Sequence, residues 1–165
     1  MILFRYLIFV FAVVKCNWFV HGTTWTKQQK LLASDGGSYD EFGISVALDG
    51  NTAVVGAHQD DVYGTKSGSV YVFVRSGTTW TQQQKLIPGF WGVGFDAPFD
   101  LFGYSVALDG DTIMIGSHRD DENGLANGSV YVFVRSGTTW TQHQKLVADD
   151  GATGDGFGTS VSMPS

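Results

Sequence analysis

The sequence predicts an all-β protein assembled from repeated four-stranded antiparallel meanders. The first observation behind that expectation is a perfect repeat: Gly68 to Gln82 reads GSVYVFVRSGTTWTQ, and Gly128 to Gln142 is identical over fifteen residues. The second is a set of spaced marks. Phe-Gly pairs open units at Phe42, Phe102 and Phe157, 60 and 55 residues apart, and Trp25, Trp80 and Trp140 close them. The third is composition, with 22 glycines, 14 % aromatic residues and only 16 % charged residues among 165. Many β-formers, many turn-formers and few charges describe sheets joined by tight turns.

Each unit divides into four strands. The first is expected over Ile44 to Leu48, and over Tyr104 to Leu108 in the next copy. Asp49-Gly50 and Asp109-Gly110 follow, and Asp-Gly between apolar runs is a strong hairpin signal because glycine accepts positive φ. The second strand is Thr52 to Ala57, or Thr112 to Ser117. A polar loop rich in Asp and Gly leads to the third, Ser69 to Arg75 or Ser129 to Arg135. After Ser76-Gly77 or Ser136-Gly137, the fourth begins near Thr79 and runs to Leu86, with Trp80 and the glutamines alternating. Such short connections require antiparallel neighbours. Repeated meanders of this size suit either a sandwich or the blades of a β-propeller. Radial repetition explains the unchanged stretch better, because each blade meets an equivalent neighbour.

The expected organisation is about two full blades plus partial ends, an incomplete propeller, since ring closure takes roughly four blades or more. Residues 1–22 read as a signal peptide or N-terminal anchor and 23–41 as the end of a partial first repeat. Two repeats cover 42–101 and 102–156, and 157–165 start a truncated one. Two blades leave sheet edges and blade faces uncovered, so association with further copies is expected to compete with marginal stability.

The apolar run Leu7 to Val14 behind Arg5 fits the n- and h-regions of a secretory signal and is short for a membrane span. Cleavage after Cys16 or after Gly22 both fit. Secretion to the outside or the cell surface is the expectation, and Cys16 is the lone cysteine, so the sheets hold without disulfides. Asn127-Gly128-Ser129 is a candidate N-glycosylation acceptor. The net charge is −6, and without Arg5 and Lys15 it is −8. An acidic surface repels nucleic acid, and no basic amphipathic segment suits a lipid surface.

The Phe-Gly openings, SVALDG, the Gly-Ala stretch and GSVYVF resemble the FG-GAP repeat family, which includes the N-terminal β-propeller of integrin α chains. The likeness spans Gly22 to Met163 and implies one blade per repeat and a role in extracellular recognition. His58 and His118 stand where that family has proline. The family's calcium loop, D-x-D-x-D-G-x-x-D, has no counterpart here: only Asp49-Gly50-Asn51 and Asp109-Gly110-Asp111 join the first two strands. So short a joint falls short of the six or more oxygens that calcium takes; no cofactor is expected, with weak calcium binding at Asp60 and Asp61, or Asp120 and Asp121, left as the alternative.

Two sets of candidate site residues remain. His58, Asp60 and Asp61 recur as His118, Asp120 and Asp121, weak metal-ligand candidates set against a polar turn. The linker Pro88 to Asp100 is longer than its counterparts, and Phe90, Trp91, Phe95 and Phe99 form an apolar candidate for partner binding. Asp40, Asp100 and Asp155, each two residues before a Phe-Gly pair, are expected to accept backbone N–H groups and fix a turn. The expected function is non-catalytic binding of a protein or glycan, with a structural repeat segment that has no ligand of its own as the alternative. No nucleophile motif stands outside the repeats, so no enzyme activity is expected.

Overall fold

A computed structural model describes residues 27–62, 64–89, 98–121 and 126–164. The signal-like segment, Trp25, and Phe90, Trp91 and Phe95 lie outside the described residues. Among the described residues the chain forms strands and turns and no helix. The strands are β1 (Val46–Asp49), β2 (Thr52–Ala57), β3 (Ser69–Ser76), β4 (Thr79–Leu86), β5 (Ser105–Asp109), β6 (Thr112–Ser117), β7 (Ser129–Ser136) and β8 (Thr139–Leu146). They make two antiparallel meanders, β1-β2-β3-β4 and β5-β6-β7-β8, the all-β, blade-like architecture that the repeats predict.

Pairing register explains the turns. Asp49 faces Thr52, so the hairpin is the two residues Gly50 and Asn51, with Gly50 at φ 53°. Ser76 faces Thr79 around Gly77 at φ 60°. The first strand of each sheet starts later than expected, at Val46 and Ser105 rather than Ile44 and Tyr104. Gly43 and Gly103 take left-handed φ of 98° and 89°. Ile44 N then donates back to the Glu41 carbonyl and Tyr104 N to that of Leu101, each at 3.1 Å. A turn absorbs the residues that alternation had assigned to the strand.

Side chains alternate across a sheet, which gives each one two apolar faces. Val54, Val70, Val72 and Leu86 form the front of the first sheet, and Ile113, Ile115, Tyr131, Phe133 and Trp140 the back of the second. Together with Phe102 they make one buried core between the sheets. Each large side chain buried there contributes roughly 1.5–3 kcal/mol. Residues around Leu31 and Ala33 cover the back of the first sheet, over Val55, Tyr71, Phe73 and Trp80.

The Phe-Gly pairs lock one sheet to the next. Phe102 is fully buried and meets Tyr131 and Phe133 edge-on, with ring centroids 5.2 and 6.1 Å apart. Its N–H donates to the Ser67 carbonyl (3.0 Å), and Ser45 Oγ donates to the Gly103 carbonyl (2.7 Å). The next junction repeats the scheme, with Phe157 N on the Asn127 carbonyl (2.8 Å) and Ser105 Oγ on that of Gly158 (2.7 Å). Glutamine side chains add a clasp. Gln84 donates to the Trp140 carbonyl and accepts from its N–H, both at 2.8 Å. Gln29 holds Trp80 in the same way, at 2.9 and 2.8 Å.

Candidate functional site

Antiparallel order puts the β2–β3 and β6–β7 loops at one end of the sheets, together with the turns that lead into each Phe-Gly pair. Every candidate metal ligand falls at this end, but the structure gives the residues separate tasks. Asp60 turns inward. It accepts from Ser69 Oγ (2.7 Å) and the Tyr71 hydroxyl (2.8 Å) and pairs with Lys85 Nζ (2.7 Å). Asp35 joins the cluster, 2.9 Å from the Tyr71 hydroxyl and 2.7 Å from Lys85. In the second sheet Asp120 takes the same place, accepting from the Tyr131 hydroxyl (2.5 Å) and pairing with Lys145 (3.0 Å).

The electrostatics agree with this geometry. The Lys85 hydrogen bond holds the Asp35 carboxyl below its ordinary range despite partial burial. Burial alone would lower Lys85, but its bonds to Asp35, Asp60 and Tyr71 outweigh that and raise it. Burial also raises the Tyr71 phenol, which keeps its proton and donates. Asp61, by contrast, accepts from Lys66 N at 2.7 Å and closes the loop, and Asp121 is exposed. Among the described residues no three His, Cys, Asp or Glu side chains come together as a metal would require.

His58 and His118 meet at a different point. Both rings lie against Tyr104, in the turn just before the second sheet, with centroids 5.4 and 4.1 Å away. Burial lowers the pKa of each imidazole; Glu41, with Oε2 3.8 Å from His58 Nε2, pulls His58 the other way. The Nδ1 atoms of both rings are buried without a hydrogen-bond partner among the described residues.

The carboxylates before the Phe-Gly pairs behave as turn-fixers at two positions. Asp40 accepts from Gly37 N (2.5 Å) and Asp155 from Ala152 N (2.7 Å). Asp100 is 7 % exposed and its Oδ1 has no hydrogen-bond partner among the described residues. Burial pushes its pKa up to about 7, with Asp120 and Asp121 adding to the rise.

Beside the exposed carboxylates Glu41, Asp61 and Asp121, this end offers aromatic rings to solvent. Phe99 is 50 % exposed and its backbone is left-handed, φ 71°. Its counterpart in the first repeat, Tyr39, is 84 % exposed at φ 76°. A bulky residue in that region costs about 1–3 kcal/mol. The third copy of the turn has Gly154 in the same place, at φ 88°. Tyr39 was not among the sequence candidates, although aligning YDEFG, FDLFG and GDGFG exposes it. Tyr71, Lys85 and their second-repeat equivalents were also missed, hidden inside the repeated VYVF and QKL.

The candidate glycosylation residue Asn127 lends its carbonyl to the Phe157 junction, and the hydroxyl residue of that triplet, Ser129, is buried at the start of β7. The chemical character of this end is therefore internal ion pairs that tie loops to sheets, and rings that face outward.

A family model described as FG-GAP repeat matches residues 25–73, 80–133 and 140–165. The match over 80–133 starts on β4 of the first sheet and stops on β7 of the second, so it spans the junction between them. No curated protein matches the chain.

Proposed function

The chain belongs to the FG-GAP repeat family, and from that membership we propose a non-catalytic module that works outside the cell and binds a protein or a glycan. The two sheets are a β-propeller-type repeat module. The observation that carries a binding role is the pair Tyr39 and Phe99: equivalent residues, both exposed, both held in a backbone conformation that glycine would adopt at lower cost. Strained, exposed aromatics gather where a surface meets a partner. The recurring carboxylates support a non-catalytic reading, because Asp60 and Asp120 serve Lys and Tyr within their own sheets. The apolar run Leu7 to Val14 behind Arg5 supports export.

The second reading, a structural repeat with no ligand, draws support from the same internal clusters. Expression with the natural start in a secretory host, followed by pull-down from the medium against extracellular proteins and glycans, separates the two. Tyr39→Gly with Phe99→Gly abolishes capture if the end is a binding surface. Equal capture by the double variant, or none by either form, leaves the structural reading.

A further inference from the structure

We propose that Tyr39 and Phe99 are stacking platforms for a neutral polysaccharide, an inference that rests on the recognition reading above and gives it a ligand class.

Among the described residues neither ring belongs to a buried core cluster. Tyr39 is 84 % exposed, and Phe99 is tied down by its backbone, its N–H donating to the Thr65 carbonyl at 2.8 Å. The neighbouring left-handed residues differ in this respect. Leu101 (φ 58°) is buried, and Glu41 (φ 53°) accepts from Gln59 Nε2 and faces His58. Where the third turn needs no aromatic ring it has Gly154. Strain is thus tolerated at 39 and 99 for the sake of an outward-facing ring.

The surroundings point to sugar rather than to a protein face. The rings are one repeat apart, and among the described residues polar groups adjoin their turns: Gln59 N donates to the Asp40 carbonyl (3.3 Å), and the carbonyl of Lys66, whose N–H is held by Asp61, accepts from Leu101 N (3.2 Å). A protein interface wants a broad, well-packed apolar centre. A pyranose needs less: one flat ring against its C–H face, and amide or carboxylate groups within reach of its hydroxyls. A polysaccharide, being a long chain of such sugars, can reach platforms that lie one repeat apart. The net charge of −6 disfavours a polyanion and does not oppose a neutral glycan.

The test is binding of the full chain to an array carrying laminarin, xylan, galactomannan and the acidic alginate. At least one neutral polymer is expected to bind and alginate is not. Tyr39→Gly and Phe99→Gly each weaken that binding roughly tenfold, the scale of one lost stacking contact. Both leave the melting temperature level or higher, since glycine suits φ near 75°, and Tyr39→Phe keeps binding. No neutral polymer bound, alongside protein capture that still depends on the two rings, overturns the glycan assignment and leaves recognition standing. Glycan and protein binding that both ignore the rings overturn the two together.

Discussion

Gly56 in β2 packs so closely on Gly103 of the following Phe-Gly pair that a methyl group at 56 would overlap the Gly103 carbonyl oxygen. Gly116 stands in the same relation to Gly158. Gly56 has no left-handed φ, so its requirement is for space and not for backbone freedom. The obstacle is backbone already bonded to Ser45 Oγ, which cannot step aside as a side-chain tip would. Gly56→Ala is therefore expected to cost about 3 kcal/mol or more. Gly50→Ala, at φ 53° with open space around it, costs about 1 kcal/mol. Thermal unfolding of the two variants checks the contrast, and equal losses would mean that the junction yields.

Lys85 bridges two carboxylates, with Asp60 largely buried beneath it. Lys85→Met strips the cation from Asp60 and leaves a buried charge with only hydroxyl donors. The expected loss is about 3 kcal/mol, because removing one partner of a buried pair exposes the other's desolvation cost. Adding Asp60→Asn to that variant recovers part of it. A double-mutant cycle in urea measures the coupling. Full additivity would show the pair to be incidental.

The fold was legible to within a residue or two at strand ends because two copies of one meander repeat the same signals. Asp-Gly, Ser-Gly and Phe-Gly each mark a turn whose glycine has positive φ. The site was less legible. Asp60 reads as half of a polar Asp-Asp pair, and only the β3–β4 register brings Lys85 to it from 25 positions along the chain. The contact of His58 with Tyr104 joins two sheets, so no local pattern shows it. Tyr39 and Phe99 look like ordinary turn aromatics until Gly154 reveals what conformation the turn demands. Phe99 was singled out for its apolar neighbours, and the structure adds its strained backbone as a reason.

The junction around Tyr104 is expected to respond to pH in two opposing ways. His58 and His118 have pKa values below the ordinary 6.5, first through burial. Glu41 opposes that shift at His58, whereas Lys66 and His118 reinforce it, and Arg119 reinforces it at His118. A group with a depressed folded pKa binds fewer protons folded than unfolded, so the histidines cost stability as pH falls through 6.5. Asp100 has the opposite sign. Raised from 3.8 to about 7 by burial and by Asp120 and Asp121, against Lys145, it contributes stability at low pH that is lost as pH rises through about 7. The two trends offset each other in the natural chain, which is expected to show a shallow slope between about pH 5 and 8. Asp100→Asn removes the carboxyl and leaves the histidines, so stability falls on acidification. His58→Gln with His118→Gln leaves Asp100, so stability rises on acidification. Urea unfolding of the three proteins at intervals from about pH 5 to 8 reads the slopes, and NMR titration of the two imidazoles assigns them. Parallel slopes in all three would place the titrating groups somewhere other than this junction.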